Sequence, residues 1–281
     1  MRLAFFGDVI GRPGRDALGL HLPGLRRRLA LEFVVVNAEN AAGGYGVSER
    51  TARELFDAGA DCLTLGNHSW DQREALTYIE REPRLLRPAN YPPLSHAPGR
   101  GANLFVIPGG GSVLVVSVLG RVHMDSLDDP FSAADRELEA CPLGAACDAV
   151  IVDIHAEATS EKMAMGHFCD GRASLVVGTH THIPTADAQV LPGGTAYQTD
   201  AGACADYDSV IGMTKGEAVR KFATRLPGER LKPSTGPATV CGVFVDTDPR
   251  TGLARRVEPI RLGGRLVQSV PSLEKAAAEL L

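Results

Sequence analysis

The sequence predicts an α/β fold, and three observations carry that prediction. Short apolar runs recur along the chain, as at Leu3 to Phe6, Phe33 to Val36 and Cys62 to Leu65. A loop and then a helix-like stretch follow most of these runs, the order expected of an α/β sheet. Each run stops at a turn that carries Asp, Glu, Asn or His. With 281 residues, 44% of them hydrophobic, the chain can bury a sizeable core, and disorder is not expected. It is read as one domain over residues 1–281.

In order, Leu3 to Phe6 is a buried strand by pattern, ended by Gly7-Asp8. Gly11 to Gly14 is read as a loop. Arg15 to Leu29 is helical, with a kink or break expected at Pro23-Gly24. Phe33 to Val36 is β-branched and apolar, a second strand. Asn37-Ala38-Glu39-Asn40 and a glycine-rich loop follow, then a helix from an N-cap at Ser48 to about Ala58. Cys62 to Leu65 is the third strand, ended by Gly66-Asn67-His68. Asp71 is expected to cap a helix reaching Arg81.

The middle reads differently. Prolines between Pro88 and Pro93 forbid regular structure. Leu104 to Ile107 and Val113 to Leu119 flank Pro108-Gly109-Gly110-Gly111 as a hairpin, so the sheet turns antiparallel or a second sheet begins. Phe131 to Ala140 is a helix, Ala149 to Ile154 a strand ended by His155, and Thr159 to Phe168 a helix. The apolar run Ser174 to Val177 then leads into Gly178-Thr179-His180-Thr181-His182. A hairpin is expected over Pro192-Gly193-Gly194. Asp200 to Glu217 is irregular and Gly-containing, a candidate lid. Val240 to Thr247 and Ala254 to Leu262 are strands, and the last ten residues a helix.

A net charge of −5 and a pI near 5.9 argue against an extended nucleic-acid platform, which needs a basic surface. They leave room for a small anion held by metal ions. None of the six cysteines forms a C-x-x-C, so no zinc knuckle or redox pair is expected. The N-terminus meets Asp8 too early for a signal peptide, and no run is long enough for a membrane span. A cytoplasmic protein is expected.

The chemistry gathers at the strand ends. In extended backbone His180 and His182, two apart, point to the same side. Asp8, Glu39, Asn40, Asn67, His68 and His155 end other runs, and ligands of open α/β sheets collect beyond the carboxyl ends of strands. Each residue alone has an ordinary explanation, such as Asp8 capping a helix. Their coincidence is what points to a site. Mixed oxygen and nitrogen donors suit Mn, Fe or Zn better than Ca. There are more donors than one ion needs, and Glu39 could bridge two. A dinucleotide fold fits poorly: Gly7, Gly11 and Gly14 do not make G-x-G-x-x-G, and Asp8 would repel pyrophosphate. No Walker A sequence is present. The His-x-His of an amidohydrolase lies early in the chain, whereas this one lies late.

Gly7-Asp8, Gly66-Asn67-His68, a lone His155 and Gly178-Thr179-His180-Thr181-His182 resemble the calcineurin-like metallophosphoesterases. Two departures, Ile10 for the His of D-x-H and Glu39 for the bridging Asp, match the YmdB-like branch of bacterial phosphodiesterases. So do the stretches Gly7 to Gly14, His155 to Lys162 and Leu191 to Tyr197. The resemblance covers nearly the whole chain. It implies a four-layer α-β-β-α sandwich of mixed sheets, two divalent ions (Fe or Mn), and phosphodiester hydrolysis with cyclic nucleotides as the substrate class. It places Asp8, Glu39, Asn40 and His182 on one ion, and Glu39, Asn67, His155 and His180 on the other. His68 is left to protonate the leaving alkoxide or steady the phosphate, while a hydroxide between the ions attacks phosphorus in line. Arg12, beside Asp8, is a candidate phosphate contact.

A second reading, from another class, is a metal-containing nucleotide- or RNA-binding regulator without turnover. The negative net charge disfavours extended RNA, and a full ligand set with a spare histidine favours turnover. A small phosphoester is the expected partner, with no membrane partner. A homo-oligomer is compatible with the sequence.

Overall fold

The computed structural model describes residues 1–273, so all but the first two residues of the expected terminal helix lie outside the described residues. In chain order the strands are β1 (Arg2–Phe6), β2 (Phe33–Asn37), β3 (Cys62–Thr64), β4 (Leu85–Leu86), β5 (Ala102–Val106), β6 (Ser112–Leu119) and β7 (Ala149–His155). There follow β8 (Leu175–Thr179), β9 (Gln189–Val190), β10 (Ala196–Gln198), β11 (Ala205–Asp206), β12 (Ala238–Thr247) and β13 (Ala254–Leu262). The helices are α1 (Gly11–Leu29), α2 (Glu49–Ala58), α3 (Ala75–Arg81), α4 (Pro130–Ala140), α5 (Thr159–Phe168) and α6 (Lys215–Thr224).

The strands form two mixed sheets. One has the order β11-β12-β1-β2-β3-β4, with β13 also paired to β12; the other has the order β5-β6-β7-β8-β10-β9. In the first, β1 to β4 run parallel and β12 returns antiparallel to β1. In the second, β6, β7, β8 and β10 are parallel, and β5 and β9 close the two edges as antiparallel strands.

Period-two alternation explains the layering, because these strands are apolar on both faces. Leu3, Phe5, Phe33 and Val35 face the second sheet and pack on Val113, Val115, Ile151 and Leu175. Ala4, Phe6, Val34 and Val36, the intervening residues, pack under Leu18, Leu22 and Leu25 of α1 and Leu55 of α2. On the far side Val116, Val150 and Val152 pack against Ala134 and Leu138 of α4 and Met165 of α5. The result is α-β-β-α, the four-layer sandwich the resemblance implies. It puts the carboxyl ends of β1, β2, β3, β7 and β8 beside one another at the seam between the sheets.

Three local expectations need correction. α1 begins at Gly11, inside the expected loop, and runs unbroken through Pro23. Leu18, Leu22, Leu25 and Leu29 are buried at helical spacing and hold it on the sheet, which outweighs the proline's lost hydrogen bond. Asp71 does not cap a helix: α3 starts at Ala75, and the Asp71 carboxylate is drawn instead to His68 Nδ1 at 3.1 Å. The stretch 200–217 is less irregular than expected. Asp200 to Asp206 is buried and includes β11, and α6 has already begun at Lys215.

Candidate metal centre

Each ligand-type residue follows a strand that fixes its direction. Asp8 lies just beyond β1, Glu39 and Asn40 beyond β2, Asn67 beyond β3, His155 at the end of β7, and His180 and His182 beyond β8. Two donor groups result. Glu39, His155 and His180 form one and Asp8, Glu39 and His182 the other, with the donor atoms of each group within 4.8 Å of one another. Glu39 belongs to both.

The first group converges on His155 Nε2. Asn67 Oδ1 stands 3.0 Å away, Glu39 Oε1 3.1 Å and His180 Nδ1 3.1 Å. The approach is so close that a Cβ on Gly66 would collide with both His155 and Glu39, so only glycine fits there. The other ring nitrogens are already engaged. His155 Nδ1 donates to Thr179 Oγ1 at 2.8 Å, and that hydroxyl donates to Asp153 Oδ1 at 2.7 Å. His180 Nε2 faces Glu157 Oε2 at 3.3 Å. Such partners fix tautomer and ring orientation, leaving the opposite nitrogen free for an ion.

In the second group His182 Nδ1 donates to the Ile211 carbonyl at 2.9 Å, which leaves Nε2 free, 4.0 Å from Asp8 Oδ1. Asp8 Oδ2 accepts the His180 backbone N–H at 3.2 Å. Asn40 Nδ2 donates to the Gly44 carbonyl at 3.0 Å, so the glycine-rich loop after β2 sets which end of the amide is free. Asp8 Oδ1 and Asn40 Oδ1 are buried and have no hydrogen-bond partner among the described residues. An acceptor left so costs about 1–3 kcal/mol, and a cation would satisfy both. The residues present therefore fit a pair of divalent ions.

The electrostatics agree. Burial pushes the Asp8 carboxyl up, against the pull of His182 and His155. Burial would also raise Glu39, but the adjoining His155 imidazolium, its hydrogen bond and His68 bring it down to about 2. His155 is pushed up to about 9, because Glu39, Asp8 and Asp153 outweigh its burial. Burial, then the charge on His155, holds His180 down at about 3. The metal-free pocket thus keeps a proton where an ion would sit. His180 and His182 also adopt left-handed backbone, with φ of 94° and 67°. Such strain costs about 1–3 kcal/mol per residue and persists where surroundings enforce it.

A cleft of about 320 Å³ opens over the two groups, lined by Glu39, Asn40, His180 and His182, with Tyr45, His68, Ile211, Met213 and Leu231 around them. His68 is in neither group. Its Nδ1 is held by Asp71, its ring stands edge-to-face with Tyr45 at a centroid distance of 5.2 Å, and Nε2 has no hydrogen-bond partner among the described residues. The structure therefore brings together Asp8, Glu39, Asn40, Asn67, His68, His155, His180 and His182. It does not bring Arg12 to them. Arg12 projects from α1 into solvent, pairs with Asp16 at 3.3 Å, and lines a separate cavity with Leu20 and His21.

Sequence reasoning missed the layer beneath. Asp153 is fully buried and accepts from Thr64 Oγ1, Asn37 Nδ2 and Thr179 Oγ1; burial pushes its carboxyl up to about 6. A signal existed, since Asp153 is the one acidic residue in apolar β7 and sits two before His155, on the same face. Lys162 and Asp200, both fully buried, form an ion pair at 2.8 Å.

The pattern of a family described as YmdB-like protein matches residues 4–260. A "2',3'-cyclic-nucleotide 2'-phosphodiesterase" of Bacillus subtilis is 42% identical over 260 residues, covering 92% of this chain and 96% of that protein. Two solved structures share the architecture. A protein of Thermus thermophilus, solved as a hypothetical protein, superposes with a TM-score of 0.86 at 44% identity, covering 94% of this chain and 100% of that one. A Mycoplasma pneumoniae protein described as a novel phosphatase does so with a TM-score of 0.86 at 33% identity, covering 94% and 93%. By sequence and by fold, the chain belongs to the YmdB-like family.

Proposed function

We propose that this chain is a two-metal phosphodiesterase that hydrolyses small phosphate esters, with cyclic nucleotides as its substrate class. The observation that carries the reading is the pair of donor groups sharing Glu39 under one cleft. Asp8, Glu39, Asn40 and His182 would hold one ion, and Glu39, Asn67, His155 and His180 the other. Carboxylate, amide and imidazole donors suit Fe or Mn. When bound, such ions supply positive charge to the phosphate and lower the pKa of water toward about 7.

The chain's own residues do the rest. His68 presents Nε2 to the cleft and donates its proton to the leaving alkoxide, while Asp71 steadies the imidazolium that must form first. Ile211, Met213 and Leu231 wall the cleft with apolar surface that receives the organic part of the ester and excludes water. The segment 200–217, which carries Ile211 and Met213, shapes that wall as the lid. The six free cysteines suit a reducing cytosol. None of the described helices is long and apolar enough to cross a membrane.

Hydrolysis of bis-p-nitrophenyl phosphate, and of 2',3'- and 3',5'-cyclic nucleotides, with Mn or Fe and with chelator, tests the reading. Metal-dependent turnover of a diester is expected. Nucleotide binding with no turnover under any metal condition would replace it with the regulatory reading.

A further inference from the structure

The left-handed histidines raise the question of what holds them. Thr181, between them, is not a ligand. Its backbone N–H and its hydroxyl both donate to Asp200 Oδ2, at 3.1 and 2.6 Å. The same oxygen accepts from Lys162 Nζ at 2.8 Å, and Asp200 Oδ1 accepts the Gly202 N–H at 2.8 Å. Lys162 comes from α5, on the far side of the second sheet, and is fully buried. Its stem reaches Asp200 across Gly178, where a Cβ would stand 2.7 Å from Lys162 Cδ. The loop is tied on both sides of Thr181 as well: Ala201 N–H donates to the Gly178 carbonyl, and Ala203 N–H to that of His182.

We propose that Lys162 and Asp200 are positioning residues of the metal centre, acting through Thr181 to aim His180 Nδ1 at one donor group and His182 Nε2 at the other. The inference rests on the two-metal reading above. Asp8 and Glu157 also touch His180, but the carboxylate that holds Thr181, the residue between the two ligands, is Asp200. A buried lysine is costly unless paired, and here its partner is the carboxylate that grips the turn between two ligands. The pair therefore does more than fill space: it ties the helix side of the sheet to the angle at which two imidazoles enter the site. Residues that orient metal ligands typically change metal affinity by about 10–100-fold when removed.

The test uses protein purified from Mn-supplemented cultures. Elemental analysis gives Mn per chain, and the rate of Mn release into excess chelator gives retention; activity is not the readout. Thr181→Val removes the hydroxyl at constant size, and Thr181→Ser restores it. The expectation is release about 10–100-fold faster in Thr181→Val, recovery to near the parent rate in Thr181→Ser, and lower Mn content in Lys162→Met and Asp200→Asn. Melting temperatures measured beside these separate a general loss of stability from a loss of aim. If Lys162→Met fails to fold, the Thr181 pair decides. Parent-like Mn content and release in Thr181→Val would overturn the proposal, as would equally fast release from the Val and Ser variants. If the parent protein itself holds no metal, the two-metal reading has failed instead, and that result is distinct from either.

Discussion

Replacing Glu39 by Gln probes the shared carboxylate most directly. Glu39 and Asp8 are the only two anions in the donor groups, and Glu39 alone belongs to both. The change keeps size and shape, removes one negative charge, and offers each ion an amide instead. Every donor atom of a group lies within 4.8 Å of the others, which bounds the distance from carboxylate to ion. At that distance and an effective dielectric of about 20, a carboxylate attracts a divalent ion by about 7 kcal/mol. Suppose half is returned because the variant no longer desolvates a charge. About 3.5 kcal/mol then remains per ion, a factor of several hundred in affinity. Elemental analysis of the variant from Mn-supplemented culture should show well under two ions per chain, with turnover lost in parallel. Thermal melts in chelator should fall below the parent's, since without ions the Glu39 carboxylate pairs with the His155 imidazolium, and metal content is therefore compared at temperatures where both proteins are folded. Two full equivalents of metal in the variant would refute the bridging role and the magnitude worked from it.

The remaining predictions address single groups. His68→Ala should keep both ions by elemental analysis and still lose about 10²–10⁴ in rate on esters with poor leaving groups; loss of metal would make His68 a ligand. Asn40→Ala removes one unpartnered buried acceptor at a position where Ile10 offers no donor, so activity should fall and be partly restored by excess Mn. His155 titrates near 9 in the metal-free pocket, above its ordinary 6.5, so its proton contributes stability that is full below pH 6.5 and lost as pH rises through about 9. That amounts to about 3 kcal/mol. Melts of the stripped protein should therefore drop between pH 6.5 and 9, while the metal-loaded protein, lacking that proton, should not follow; parallel curves would remove His155 from the site.

How far the sequence carried the reading depends on where each signal lies. Asp8, Glu39, Asn67 and His155 each end an apolar run, so local pattern alone puts them at strand ends, and topology then gathers them. His68 was legible by the same rule. Lys162 was not. It sits in Thr159-Ser160-Glu161-Lys162, which reads as the start of a solvated helix, and its partner is 38 positions on. Only the crossing of α5 over the glycine of β8 makes it an interior residue. Asp71 misled because a helix cap and a histidine's partner look alike in sequence. α1 departs from its local pattern at both its start and its middle, because the burial of its leucines is a tertiary fact that local rules for proline do not contain. Arg12 follows from the same difference: as the second residue of a helix rather than part of a loop, its side chain turns outward to Asp16.

The site's position at the seam has one more consequence. The first sheet contributes Asp8, Glu39, Asn40 and Asn67, which are oxygen donors throughout. The second contributes His155, His180 and His182, which are nitrogen donors throughout. Neither half is a good host for a borderline ion by itself. A hard, oxygen-only half resembles a weak magnesium or calcium site, and an imidazole-only half lacks the anion to balance a dication. On the two-metal reading, capture would wait until the sheets have docked through Leu3, Phe5, Val115 and Ile151, and the ions would enter last, as a clasp across a joint already closed. Hydrogen exchange should register this as slower opening along the carboxyl ends of β2 and β7 on metal loading, with the amino ends of the same strands unchanged.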